Sequence, residues 1–386
     1  MQTEVGKGKK ARISYGLDDI AIVPSKRTRD ASEIDISYKL GPYVFDLPFL
    51  ASAMDGVVNV GVAVQIGKLG GLGVLNLEGL QTRYEDADKI LEEIATFKKE
   101  EATRKLQEIY KEPVKEDLVG KRVEEIKKGG VLAGASLTPQ KVDKYYKVAL
   151  EAGLDVLVIQ GTVVSADHVS KVSKPLDLNK FINEIPIPVV VGGCCSYSTA
   201  LHLMRTGAVG VLVGVGPGAA CTTRRVLGVG VPQATAIADV AAARADYLNE
   251  SSRYVSVIAD GGMRSGGDIS KAIACGADAV MIGSPVAGAK EAPGHGFHWG
   301  MATFHPELPR GTRIEVGQKA TLKEIIVGPA YENDGTLNLF GALRTSMATS
   351  GYENIKAFQK TEVMIAPALQ TEGKAQQQSQ KVGMGK

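Results

Sequence analysis

The sequence predicts an α/β protein whose strands close into a (β/α)8 TIM barrel, and three observations carry that expectation. Eight short apolar runs recur along the chain, segments with helical periodicity alternate with them, and most runs end at glycine or a polar loop. Runs that are apolar throughout suit a parallel sheet covered on both faces. Eight of them in one stretch fit a closed barrel better than a doubly wound sheet, which ordinarily has five or six strands.

In order, the runs are 49–53, 72–75, 131–135, 156–159, 187–191, 210–213, 255–259 and 279–282. Helical spacing is clearest at 141–152, 198–206 and 267–275. Between the second and third runs, 83–128 mixes acidic and basic residues almost evenly, with Leu91, Ile94, Phe97, Leu106 and Ile109 spaced for helix faces. That pattern predicts a solvated helical excursion, broken near Pro113. After the last run, 291–335 gathers His295, His298, Trp299 and His305 among glycines and prolines, as expected of a long loop over an active site. Residues 1–370 thus read as one barrel. The basic arm at 7–12 and the Gln-rich stretch 371–386 read as mobile ends.

Composition narrows the function. Of 386 residues, 44% are hydrophobic and 23% charged, which supports a sizeable core. Lys plus Arg 45 against Asp plus Glu 43 is too balanced for general binding to a nucleic acid backbone. Glycine at 45 residues exceeds the usual share of about 7%, pointing to tight loops and close backbone approaches of the kind that hold phosphates. The basic start has no apolar stretch behind it and no window is long and apolar enough to span a bilayer, so neither export nor membrane partners are expected. Cys194, Cys195, Cys221 and Cys275 lack the spacing of a disulfide framework, which makes a reduced, cytoplasmic setting the expectation. No Cys/His spacing completes a zinc set.

Barrel enzymes build their sites from loops at the carboxyl ends of the strands, with phosphate commonly held after strands seven and eight. Here those loops contain Asp260-Gly261-Gly262 and Gly283-Ser284. Paired glycines let backbone approach an anion, Ser284 adds a hydroxyl beside a helix start, and Asp260 can accept bonds from a ribose diol. The alternatives are plain turns for the glycines and a helix-capping role for Asp260. The loop after the sixth run, 214–225, has three glycines and a proline before Cys221, with Thr223, Arg224 and Arg225 following. A cysteine at a strand end near amides and two arginines can serve as a nucleophile, and Thr223 can orient water or pass a proton. An inert buried thiol is the alternative, and the one expected for Cys194, Cys195 and Cys275. His295, His298 and His305, from one loop, read as ligand contacts or surface residues rather than as a metal trio.

Over about residues 13–365 the chain resembles the IMP dehydrogenase and GMP reductase family, closest to the dehydrogenase-related branch that lacks paired CBS domains. The motifs that carry this resemblance are 15–24, Ser52-Ala-Met-Asp55, 214–224, 228–233, 258–262 and 291–294. The resemblance implies a cyclic tetramer or octamer, and a Cys221 that attacks C2 of a purine nucleoside monophosphate. It also implies that Ser52, Gly262, Gly283 and Ser284 hold phosphate, that Met54 packs beneath the base, and that Asp260 binds the ribose. Gly300 and Met301 match a segment that reads the hypoxanthine edge. The carbonyls of Gly216, Gly218 and Cys221 would meet a monovalent cation, normally potassium.

Departures from the pattern fall close to the chemistry. Ala219 replaces a phosphate-binding serine, and Gln160-Gly161-Thr162 replaces the Asp-Ser-Ser that meets the nicotinamide ribose. Gly193-Cys194 replaces a Gly-Asn, and His298-Trp299 stands where Tyr-Arg is usual. The flap is cut down to a few residues ending in 309–311. The resemblance implies two reactions: oxidation of IMP to XMP with NAD, and reduction of GMP with NADPH. The reductase's glutamate falls at or beside Arg310, which favours the dehydrogenase and makes Arg310 a candidate for positioning water; a surface arginine is the alternative. A nucleotide-binding regulatory protein is the third class.

Overall fold

The structure is a computed structural model that describes residues 2–171, 175–300, 312–369 and 371–385. Eight parallel strands form its centre: β1 Phe49–Ala51, β2 Leu72–Asn76, β3 Gly134–Leu137, β4 Val156–Gln160, β5 Val189–Cys194, β6 Gly210–Val213, β7 Ser256–Asp260 and β8 Ala279–Ile282. Each pairs with its neighbours in chain order, and β8 closes on β1 through Val280–Phe49, Met281–Leu50 and Ile282–Ala51. The (β/α)8 barrel expected from the eight runs is therefore the fold. The third strand starts later than its apolar run, at Gly134.

Side-chain alternation explains why the runs are apolar throughout. Val156, Val158, Val190, Leu212, Ile258 and Met281 point into the barrel. Their neighbours Leu157, Ile159, Val191, Val211, Val257 and Val280 join the layer beneath the helices. Both faces of each strand are buried, so no polar alternation survives in the sequence. A hairpin, Tyr38–Leu40 with Tyr43–Phe45, packs Tyr38, Leu40 and Phe45 against the interior residues. That plug leaves the carboxyl ends of the strands as the open mouth.

Asp278, just before β8, is a buried charge fully engaged by partners. Its carboxylate accepts from Arg244 (2.8 Å), the Val257 amide (2.8 Å), the Tyr254 hydroxyl (2.7 Å), Gln359 (2.9 Å) and Lys356. Burial pushes its pKa up, but Arg244 and then Lys356 outweigh burial and hold it below the ordinary value. Its contribution to stability is present above the unfolded carboxyl's pKa and is lost as pH falls through the lower folded value. Asp278→Asn should destabilise the protein by about 3–5 kcal/mol near pH 7. Urea midpoints should show that deficit shrinking as the medium is acidified below about pH 4.

The excursion departs from its expected solvated character. It forms helices Ala87–Ala95 and Lys99–Ile109, followed by the barrel helix Glu116–Lys128. Leu80, Leu91, Ile94, Phe97 and Leu106 bury around Trp299 as a second small core. Arg313 ties the same helices to the loop after β8 by donating to the carbonyls of Ile94 and Phe97. The basic arm at the start has a partner strand. Lys9–Arg12 pairs with Gln2–Gly6 as an antiparallel ribbon, anchored where Arg12 meets Asp239 at 2.9 and 3.0 Å. Beyond residue 370 lies a short helix, Ala375–Gln380, with no buried residue.

Candidate active site

A cavity of about 300 Å³ opens at the carboxyl mouth of the barrel. Every sequence-derived site residue that the structure describes lines it: Ser52, Met54, Gln160, Gly161, Thr162, Gly216, Gly218, Cys221, Thr223, Asp260, Gly262, Gly283, Ser284, His298 and Gly300. Met301 and Arg310, with His305, lie outside the described residues.

One wall is built from the loops after β1, β7 and β8. The Ser52 amide donates to the Ile282 carbonyl at 3.0 Å, which fixes the loop after β1 against the end of β8. A Cβ on Gly283 would lie 3.1 Å from the Met54 sulfur and 3.4 Å from the Ser52 hydroxyl, so a side chain there would fill space that faces the cavity. Gly261 and Gly262 both adopt positive φ, at 78° and 82°, which turns the chain at the end of β7. Ser284 Oγ lies 2.9 Å from His298 Nε2. Burial pushes His298 down to about 4, so its ring is neutral near pH 7. If Nε2 carries the proton it donates to Ser284, and the serine hydroxyl stays available to donate to a ligand oxygen.

Asp260 ends β7, and its carboxylate accepts from Gln160 Nε2 at 3.0 Å across the barrel mouth. Burial pushes its pKa up to about 7, against the lowering effect of Gln160. The capping alternative fails for Asp260. Helix Gly266–Ala274 is capped by Ser265, whose hydroxyl accepts from the Asp268 amide, and Asp268 completes the box by accepting from the Ser265 amide.

The loop after β6 delivers the thiol. Gly216 sits at φ 76°, and the Cys221 amide donates to the Gly218 carbonyl at 3.0 Å. Arg224 secures the turn by donating to the carbonyls of Val215 (3.2 Å) and Val231 (2.7 Å). Arg225, expected beside the thiol as well, is exposed instead, because helix Thr223–Leu227 turns it outward. Cys221 is half-buried and its thiol donates to Thr223 Oγ1 at 3.1 Å. Burial pushes the Cys194 thiol up to about 12 and Cys275 to about 11, and it also raises Cys195. A high thiol pKa keeps sulfur protonated and poorly nucleophilic. His295 is exposed, and the described residues contain no cluster of three metal-ligating side chains.

The cavity extends further than the sequence reading did. Asn76, Glu78, Arg83, Tyr110, Ser136 and Thr138 line its far side. Asn76 and Ser136 occupy the carboxyl ends of β2 and β3, so the strand-end rule applied to all eight strands would have found them. Tyr110 follows a charged excursion helix and carried no such signal.

Comparison with known proteins shows the family. Residues 14–376 match the IMP dehydrogenase / GMP reductase domain. The chain belongs to the IMP dehydrogenase / GMP reductase family. An uncharacterized oxidoreductase of Mycobacterium tuberculosis is 47% identical over 371 residues, covering 94% of this chain and 99% of the relative. The crystal structure of an IMP dehydrogenase/GMP reductase-like protein from Corynebacterium glutamicum superimposes with a TM-score of 0.90 at 42% identity, covering 94% of this chain and 97% of that one. An inosine-5'-monophosphate dehydrogenase of Cryptosporidium parvum is 33% identical over 298 residues, 73% of this chain and 70% of the relative. Among the described residues, no helix is long and apolar enough to cross a membrane.

Proposed function

We propose that this family member is an oxidoreductase of purine nucleoside monophosphates, that it oxidises IMP to XMP with NAD, and that it belongs to the branch without paired CBS domains. The observation that carries the reading is the Cys221–Thr223 pair, held at 3.1 Å in the cavity that Ser52, Asp260 and Ser284 also line. Only two carboxylates line that cavity among the described residues, and both are engaged: Asp260 by Gln160, and Glu78 by the Thr138 amide at 2.6 Å. The dehydrogenase reading rests besides on the sequence, where the reductase's glutamate falls at or beside Arg310, outside the described residues.

In this reading Ser52, Gly262, Gly283 and Ser284 take the phosphate, Asp260 takes the ribose hydroxyls, and Met54 supports the base against Gly300, Met301 and His298. The Cys221 thiolate adds to C2 of IMP, forming a carbon–sulfur bond. A nicotinamide held beside Gln160, Gly161 and Thr162 would supply the two-electron oxidant, taking up the hydride that leaves C2. Thr223, and Arg310 by its sequence position, position the water whose oxygen then displaces sulfur, releasing XMP and restoring the thiol with net loss of one proton. Polar groups suit the second half of the cavity to a nicotinamide nucleotide, with Gln160, Gly161 and Thr162 on its near edge and Asn76, Ser136 and Thr138 beyond. The reading also implies that the protein works as a homotetramer or octamer.

Incubation with IMP and NAD, and separately with GMP and NADPH, tests the reaction. Reduced nicotinamide and XMP should appear only in the first. Turnover of GMP alone would select the reductase. IMP binding without hydride transfer in either assay would make the protein a regulator.

The loop at 214–221 offers neutral backbone oxygens at Gly216, Gly218 and Cys221, the donor chemistry that suits potassium. A bound potassium ion would hold those oxygens, and with them the Cys221 backbone. Replacing potassium by lithium at constant ionic strength should therefore lower turnover severalfold in desalted protein. Unchanged rates would remove the cation from the scheme.

A further inference from the structure

The excursion after β2 reaches the active site through Arg83 at its start and through the phenol of Tyr110. Tyr110, following helix Lys99–Ile109, lines the cavity. Its hydroxyl donates to Asp55 and accepts from Trp299 Nε1 at 2.8 Å. Arg83 holds the same residue from behind, donating to the Tyr110 carbonyl at 3.0 Å with its guanidinium 5.6 Å from the ring centre.

The two hydroxyl partners matter for where they sit in the chain. Asp55 immediately follows Met54, and Trp299 immediately precedes Gly300. Both partners are almost completely buried, whereas Met54 and Gly300 face the cavity from opposite segments. Asp55 also accepts from the Leu80 amide and from Asn76 Nδ2 at 3.5 Å, and a Cβ on Gly79 would collide with its carboxylate at 1.9 Å. The carboxylate is thus fixed, and the phenol fixed to it sets the position of the indole. A hydrogen bond to a charged acceptor is the stronger kind, and the Trp–Tyr–Asp chain polarises each member in turn.

We propose that Tyr110 is a positioning residue that locks the spacing between Met54 and Gly300, so that the excursion sets the width of the slot for the purine base. The proposal rests on the nucleotide reading above. It makes the excursion helices part of substrate recognition rather than a surface ornament.

Trp299 is the chain's only tryptophan, so its emission reports on this contact. IMP titrations of the wild type, Tyr110→Phe and Tyr110→Ala, read by calorimetry and by tryptophan emission, test the idea. Both variants should bind IMP at least fivefold more weakly, raising KM for IMP more than they lower kcat. The Phe variant should also shift the ligand-free emission as the indole N–H loses its partner. Should Tyr110→Phe fail to fold, Trp299→Phe carries the same test by calorimetry, because it cuts the link to Gly300 and leaves the Tyr110–Asp55 bond intact. Wild-type affinity in the Phe variant, with only the Ala variant impaired, would reduce Tyr110 to a space-filling ring and overturn the proposal. Absence of IMP binding to the wild type would overturn the nucleotide reading and the proposal together, a result distinct from equal binding by wild type and variant.

Discussion

Cys221→Ala should abolish turnover, by at least about a thousandfold, while IMP affinity stays within about tenfold of the wild type. The asymmetry follows from the division of labour in the cavity. In the proposed reading phosphate and ribose are held by the loops after β1, β7 and β8, whereas the thiol comes from the loop after β6, whose turn is held by Arg224 and the Gly218 carbonyl. Removing sulfur deletes the only bond that forms in the first chemical step and leaves the binding wall standing. Intact-protein mass spectrometry gives a second readout: wild-type protein mixed with IMP and NAD should carry a nucleotide adduct, and the alanine variant none. More than about a tenth of wild-type turnover in the variant would rule out the thiolate mechanism.

The barrel and one half of the site were legible in the sequence for the same reason. Strands such as Val156–Gln160 and Ser256–Asp260 are buried on both faces until their last residue, so the polarity change at Gln160 and Asp260 marks where the barrel mouth begins. Cys221 stood out because the glycines before it shape a turn that has little other use. The far half was hidden for two physical reasons. Asn76 and Ser136 are single polar residues at the ends of β2 and β3, with no paired glycines after them. Tyr110 lies in a segment whose apolar spacing is that of any amphipathic helix pair. What those helices pack on is Trp299, about 190 residues away, and local periodicity holds no record of a partner that distant. The excursion therefore read as solvated although it has a small core of its own.

Nucleotide affinity should fall as the medium is acidified through about pH 7, and Asp260 should be the cause. Its carboxylate is the acceptor proposed for the ribose hydroxyls, and burial has pushed its pKa up to about 7. Above that value it is ionised and accepts two hydroxyl donors, each bond to a charged group being worth about 1.5–3 kcal/mol. Below it the carboxyl is protonated, and one oxygen turns from acceptor into donor. IMP should then bind about tenfold more weakly for each pH unit, until the neutral carboxyl's own affinity is reached. The phosphate of IMP also titrates, near pH 6, so the decisive comparison is with Asp260→Asn, which retains only that second dependence. The asparagine variant should bind more weakly at pH 8 and lose the inflection near 7, while Asp260→Ala should lower kcat/KM by about a hundredfold or more. Gln160 supplies an internal check on sign. Its amide donates to the Asp260 carboxylate and so favours the charged form; Gln160→Ala should move the inflection to higher pH. An inflection that stayed in place in Asp260→Asn, or that moved to lower pH in Gln160→Ala, would take the ribose away from Asp260 and leave the phosphate as the only titrating partner.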